Sequence, residues 1–394
     1  MAKAAAASDV EFWPCTGDLA FRLQRTTGLI PARGLGVGRR ALVAVLVTWV
    51  PLVATAAAAG RLWPGVGDEP LLQHFAVHAR FLVAVPVLIL GEALLHAIVG
   101  EVIPQFVRSG LVADADRARI ADIVHRAIIW RDNWKPWVAI AMLVVAWIVT
   151  NPVVGSEHDL RWAHGTAAHG LELAIGAFWF RYVSLPILAA LQFTWLWRLG
   201  LVAVVLWRIS RLRLALVATH PDQAGGLGFL HRIPAAFAPL SFALAVTLAA
   251  RWAHEALYHG VPIVSFALPM ATFTGIVAIV VVAPLAAFAP QLIALRRRAL
   301  LEYGALVTNH GQLVHRRWIR RETVSDRGLL DAPELGPVAD TVSLYEAVAA
   351  TQPLPINKRT LSIIFGPIVL PVVPLIGIEV PLKDAVLKLL TTLL

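Results

Sequence analysis

The sequence predicts an all-α, polytopic transmembrane helical bundle of about seven spans. Three observations carry that reading. Of 394 residues, 58% are hydrophobic and only 15% charged, and the mean hydropathy of +0.71 lies well above that of a soluble domain. Apolar runs close to the 20 or so residues needed to cross a bilayer recur along the chain. Between them, Lys and Arg fall in alternately high and low numbers.

Taken in order, residues 1–40 hold no short apolar core followed by a cleavage site, so they are expected to persist as a cytoplasmic N-terminal segment. Windows of about 19 residues then place spans at 41–60, 81–103, 136–155, 182–207, 234–250, 263–288 and 361–379. The segments 1–40, 104–135, 208–233 and 296–360 together carry 26 Lys and Arg, and the other connections carry 7. The positive-inside rule puts the first set in the cytoplasm. The net charge of +9, from 34 basic and 25 acidic residues, is thereby a product of topology and argues against nucleic acid as a partner.

The same reading divides the chain into a cytoplasmic segment 1–40, a six-span domain 41–295 with a cytoplasmic amphipathic helix at 106–131, a cytoplasmic helical segment 296–360, and a proline-rich last span with an amphipathic tail over 361–394. In the 106–131 helix, Ile120, Ile123, Val124, Ala127 and Ile128 fall at helical spacing, with Arg117, Arg119, Asp122 and Arg126 between them. Residues 165–180 read as an interfacial helix before the fourth span, and the sixth span reads as running past Arg296–Arg298 toward Trp318. Because of Pro367, Pro371, Pro374 and Pro381, the last segment either spans or dips and returns. Trp63, Trp134, Trp137, Trp162, Trp207 and Trp252 fall near span ends, where an amphipathic ring settles. The single cysteine, Cys15, excludes an intramolecular disulfide.

Charged groups inside spans are costly and mark packing pairs or pathways. Glu92 and His96 lie one turn apart on the second span, and Arg198 lies on the fourth. At about 1.5 Å per residue they sit roughly 16, 22 and 24 Å from the outer surface, so the three can form one cluster. That cluster is either an ion pair fixing helix packing or a proton- or ion-handling site. On the outer face, His74, His78, His158, His164, His169, His254 and His259 gather. His74 and His78 at i, i+4 could ligate a divalent metal with His254, Glu255 or His164, or could be interfacial polar groups.

Between spans four and five, the stretch His220-Pro221-Asp222-Gln223-Ala224-Gly225-Gly226-Leu227-Gly228 stands out. Asp222 with Gly225, Gly226 and Gly228 describes either a backbone nest for an anion or a tight turn needing positive φ. The phrase HPDQAGGLGFL, the amphipathic FVRSGLVADADRARIADIVHRAIIWRDNW and the ending PLKDAVLKLLTTLL resemble a group of uncharacterised bacterial multi-spanning inner-membrane proteins. The resemblance covers most of residues 100–394, leaves the phrase GPVADTVSLYEAV unmatched, and implies architecture without an activity.

No GxSxG, Walker A, GxGxxG or HExxH motif occurs. Residues 361–379 contain no His, unlike the last span of intramembrane metal-dependent hydrolases of the ceramidase and progestin-receptor type. No catalytic residue is assigned, and the sequence leaves any cofactor unknown. The expected function is a channel or transporter for ions or small solutes using Glu92, His96 and Arg198, with a membrane scaffold or sensor acting through its cytoplasmic helices and glycine-rich loop as the alternative. The expected setting is a bacterial inner membrane, with the lipid bilayer and further copies of the chain as partners.

Overall fold

The computed structural model describes residues 11–63, 70–150, 162, 170–323 and 336–379. Regular structure among them is helical, apart from one isolated bridge between Val112 and Leu214. In chain order the helices are α1 (Leu19–Thr26), α2 (Val37–Ala58), α3 (Phe75–Arg108), α4 (Asp114–Asp132), α5 (Lys135–Thr150), α6 (Ile175–Ile209), α7 (Gly228–His259), α8 (Ile263–Ala286), α9 (Ala289–Val314), α10 (Gly336–Ala349), α11 (Lys358–Val369) and α12 (Val373–Glu379).

Five of these, α2, α3, α6, α7 and α8, are long and apolar enough to cross a membrane; α4 and α5, bent by 49° at their junction, make a sixth if they form one span. Burial ranks them. Half of the apolar window of α3 and of α7, and 44% of that of α6, is covered by protein, against 22% for α2 and 11% for α8. The first three are therefore the centre of the bundle, and α8 presents its side chains outward to whatever surrounds it.

Two of the three central helices, α3 and α6, share a device. Each widens into a π-turn, at Ala79–Ala84 and Phe180–Ser184, immediately before a proline at the second residue of the next helical stretch, Pro86 or Pro186. Proline cannot donate to the preceding turn, and the wider turn absorbs that loss without ending the helix. Phe81 and Phe180, one from each π-turn, meet edge to face with centroids 6.0 Å apart.

Several sequence expectations are corrected here. The segment leading into the fourth span is no separate interfacial helix over its described residues: Gly170–Trp179 passes straight into the π-turn at Phe180–Ser184 and the helix runs on to Ile209. The sixth span does not run unbroken toward Trp318. It ends at Ala286, and α9 starts anew at Ala289 with Pro290 in its first turn. Over its described residues the last span divides into α11 and α12 around Pro371, with Pro374 opening α12. The 380–394 tail, His158, His164 and His169 lie outside the described residues.

The four segments richest in Lys and Arg touch one another. Arg131 Nη1 donates to the Trp13 carbonyl at 2.6 Å, and Arg22 Nη2 to the Asp132 carbonyl at 2.9 Å, joining the N-terminal segment to α4. The Ala215 amide donates to Leu111 O at 2.8 Å, joining the end of α3 to the loop after α6. Thr351 Oγ1 donates to Ala218 O at 3.0 Å, and the Gln352 amide to Gln223 O at 2.8 Å, joining that loop to the chain after α10. Of the sparsely charged connections, 61–80 and 251–262 meet: the His254 ring nitrogen lies 3.1 Å from Gln73 O.

Candidate functional site

Glu92 projects from the middle of α3 and has both carboxylate oxygens engaged. Arg198 Nη1 of α6 donates to Oε1 at 2.8 Å, and Arg40 Nη1, from the first turn of α2, donates to Oε2. Arg198 then reaches onward: its Nη2 lies 3.4 Å from Asp18 Oδ2. Two carboxylates and two guanidiniums make a neutral cluster, and none of the four residues keeps more than 6% of its accessible surface. Neutrality with mutual hydrogen bonding is what allows four charges to persist in so dry a place.

Asp18 enters by way of the chain before α1. There Phe12 and Cys15 are fully buried in the main hydrophobic core, so residues 11–18 form a strap laid into the bundle. The strap follows one stripe of α3. The Trp13 ring stacks on His96, with centroids 4.2 Å apart and planes 20° from parallel. A Cβ at Gly100, the next residue of that stripe, would stand 2.0 Å from the same indole. Only glycine leaves room for Trp13 to lie there. Burial pushes the Cys15 thiol up to about 12, so at neutral pH it is a protonated, unreactive core group.

Of the three intramembrane candidates, Glu92 and Arg198 are brought together, and His96 is not part of the ion cluster. It lies one turn along, covered by Trp13, with Nδ1 buried and unpartnered. The two missing members, Arg40 and Asp18, carry weak sequence signals. Arg40 reads as the basic flank of a span, and Asp18 reads as an N-cap, which it also is: Oδ1 accepts the Phe21 amide at 2.7 Å. Arg40 lies about 5 Å into α2, whereas α3 continues about 24 Å past Glu92, so the cluster sits near the strap's end of α2.

The loop after α6 answers the nest question. Asp222 itself fills the nest: Oδ1 accepts the amides of Ala224 at 2.9 Å and Gly226 at 3.1 Å, and Oδ2 accepts that of Gly228 at 2.7 Å. His220 Nδ1 lies 2.8 Å from Oδ1. Burial pushes the Asp222 carboxyl upward, but the three amides and His220 outweigh it, and the group titrates below its usual range. Gly225 and Gly226 take φ of +65° and +96°, and a Cβ on Gly228 would stand 2.7 Å from Asp222. The tight-turn reading fits, and an external anion finds those donors occupied.

At the opposite end, His78 spends both ring nitrogens. Nδ1 accepts from Trp49 Nε1 at 3.0 Å, and Nε2 faces Leu71 O at 3.1 Å. His74 and His254 stack, with centroids 5.2 Å apart, instead of converging on a point. Among the described residues no group of three His, Cys, Asp or Glu side chains can hold a metal ion. The expected His74, His78 and His254 metal set is corrected accordingly: hydrogen bonding and stacking already use these rings.

A cavity of about 410 Å³ opens beside the strap, lined by Arg22, Arg25, Gly34 and His96 among others. A second, of about 250 Å³, lies between α4 and α6. Neither is lined by Glu92 or Arg198. No protein family model, no curated protein and no solved structure matches this chain.

Proposed function

We propose that this chain is a membrane-embedded scaffold or sensor that works through the assembly at the strap's end of the bundle. The observation that carries this reading is the state of Glu92, buried and charge-neutralised by Arg40 and Arg198 and lining neither of the two cavities described above. A carboxylate that carries protons or ions needs access to water on at least one side. Here the cluster instead locks the strap, α2, α3 and α6 to one another. The knitted strap, α4, Asp222 loop and α9–α10 assembly supplies the surface on which a partner is received.

On this reading the assembly is cytoplasmic, since it collects the four Lys- and Arg-rich segments. The setting is a bacterial inner membrane, and further copies of the chain can join the assembly. Affinity purification from native membranes, comparing wild type with Gly226→Val, tests it. The expected result is a cytoplasmic protein retained by wild type and lost from the variant, whose spans stay folded because Gly226 lies in the loop.

The transport reading is favoured by one observation, the 410 Å³ cavity lined by His96, Arg22 and Arg25, next to the cluster. Dye-reported flux in proteoliposomes under an imposed ion gradient separates the two. Wild-type flux abolished by Glu92→Gln in folded protein makes the cluster part of a pathway and overturns the scaffold reading.

A further inference from the structure

The groove between α4 and α6 has a composition that neither reading uses. Its floor is Gly200, where an added Cβ would meet nothing within 4 Å. Its walls are apolar, with Ala127 and Trp130 on α4 and Trp197 and Val204 on α6. Two cations stand at it, Arg126 and Arg208. Arg126 shares its charge with Asp122 at 2.8 Å on an exposed face, whereas the Arg208 side chain has no hydrogen-bonding or ion-pair partner among the described residues.

Position completes the argument. Arg208 ends a membrane-length helix, and Trp130 and Trp134, exposed at 60% and 61%, sit where α4 turns into the apolar α5. Exposed indoles and basic side chains at span ends mark the headgroup level of a bilayer. An apolar trough ending in two guanidiniums at that level is complementary to an acyl chain joined to a phosphate.

We infer that this groove binds one anionic phospholipid, with an acyl chain along Gly200 and Val204 and the phosphate between Arg126 and Arg208. At 250 Å³ the groove holds part of one chain, and the rest of the lipid stays in the surrounding bilayer. This site is separate from the Glu92 cluster and does not depend on whether the neighbouring loop recruits a partner.

Native mass spectrometry of the full-length chain in micelles, titrated with phosphatidylglycerol or with phosphatidylcholine of the same acyl chains, tests the inference. Wild type is expected to retain one phosphatidylglycerol and to hold phosphatidylcholine far more weakly. Arg126→Gln with Arg208→Gln is expected to lower phosphatidylglycerol affinity roughly thirtyfold, about fivefold for each charge. Gly200→Leu, whose side chain enters open space, is expected to abolish retention with both arginines in place and the elution profile unchanged. Equal retention of the two lipids by wild type overturns the inference. So does unchanged phosphatidylglycerol binding by Gly200→Leu, which reduces the contact to charge adsorbed on a basic surface.

Discussion

Asp18 and Arg198, 180 positions apart in the chain, meet at 3.4 Å inside the bundle. The other oxygen of the same Asp18 carboxylate caps α1 through the Phe21 amide. One side chain therefore starts a helix and closes an ion cluster, so strap and core are coupled: whatever loosens the cluster also loosens residues 11–18.

Cys15 reports that coupling directly. It is the only cysteine, fully buried, with its thiol pushed up to about 12, so a maleimide at neutral pH is expected to label native protein slowly. Asp18→Asn removes one of the two carboxylates that neutralise Arg198, and labelling is expected to accelerate several-fold while the helix content stays constant. Equal labelling rates for wild type and Asp18→Asn, measured by gel shift, would show that the strap is held by its apolar residues alone.

The Arg40–Glu92 pair calls for a double-mutant cycle. Glu92→Gln leaves two buried guanidiniums sharing one carboxylate, and a loss of about 3–5 kcal/mol is expected. Arg40→Gln in the same background relieves part of that excess charge, so the double variant is expected to lose less than the sum of the single losses by about 0.5–3 kcal/mol. Denaturant unfolding in micelles provides the comparison, and strict additivity would count against a shared cluster.

Much of this architecture is legible in the sequence because bilayer thickness imposes a length on apolar runs. Phe75–Arg108, Ile175–Ile209 and Gly228–His259 all contain spans placed by hydropathy alone. What escapes is whatever depends on meeting between distant segments. Nothing local to Asp18 distinguishes a helix cap from a cap that also pairs with Arg198, and nothing local to Arg40 distinguishes a basic flank from a buried partner. Hydropathy also cannot tell where within a helix longer than one span, such as the 34 residues of α3, a given side chain will find its partners. The Asp222 loop is ambiguous in sequence for a different reason: glycines with an acidic residue describe a nest equally well whether the anion comes from outside or from the loop itself.

Asp222 should govern the loop's local stability. Asp222→Ala orphans three amide donors and is expected to cost about 1–3 kcal/mol locally, seen as faster hydrogen exchange at Ala224, Gly226 and Gly228. The pH dependence has a fixed sign. Because the folded carboxyl titrates below its ordinary value of 3.8, its contribution is complete above that value and is lost as pH falls below it. Exchange at these amides, corrected for its intrinsic pH dependence, is therefore expected to show constant protection from pH 5 to 8. Loss of protection within that range would show that a group other than Asp222 controls the loop.

Three glycines on the central helices offer the sharpest comparison, because the same added methyl meets three different obstacles. At Gly200 it meets open space, and the helix gains from losing a glycine, so Gly200→Ala is expected to be neutral or stabilising by up to about 1 kcal/mol. At Gly91 it would stand 2.4 Å from the Pro239 ring and 3.2 Å from Trp195. Pro239 belongs to the first turn of Ala238–His259, the long α-helical segment of α7, and Trp195 is pinned by donating to Leu88 O at 3.1 Å, so relief requires moving α3 away from α7. Overpacking of that kind is expected to cost about 1–3 kcal/mol of global stability. At Gly100 the obstacle is the Trp13 indole, which belongs to the strap and can leave. Gly100→Ala is therefore expected to spare the bundle's unfolding midpoint yet accelerate Cys15 labelling, whereas Gly91→Ala lowers the midpoint first. If Gly100→Ala instead lowers the midpoint as much as Gly91→Ala, the strap is an integral part of the core, and Asp18 holds the bundle closed rather than merely holding the strap to it.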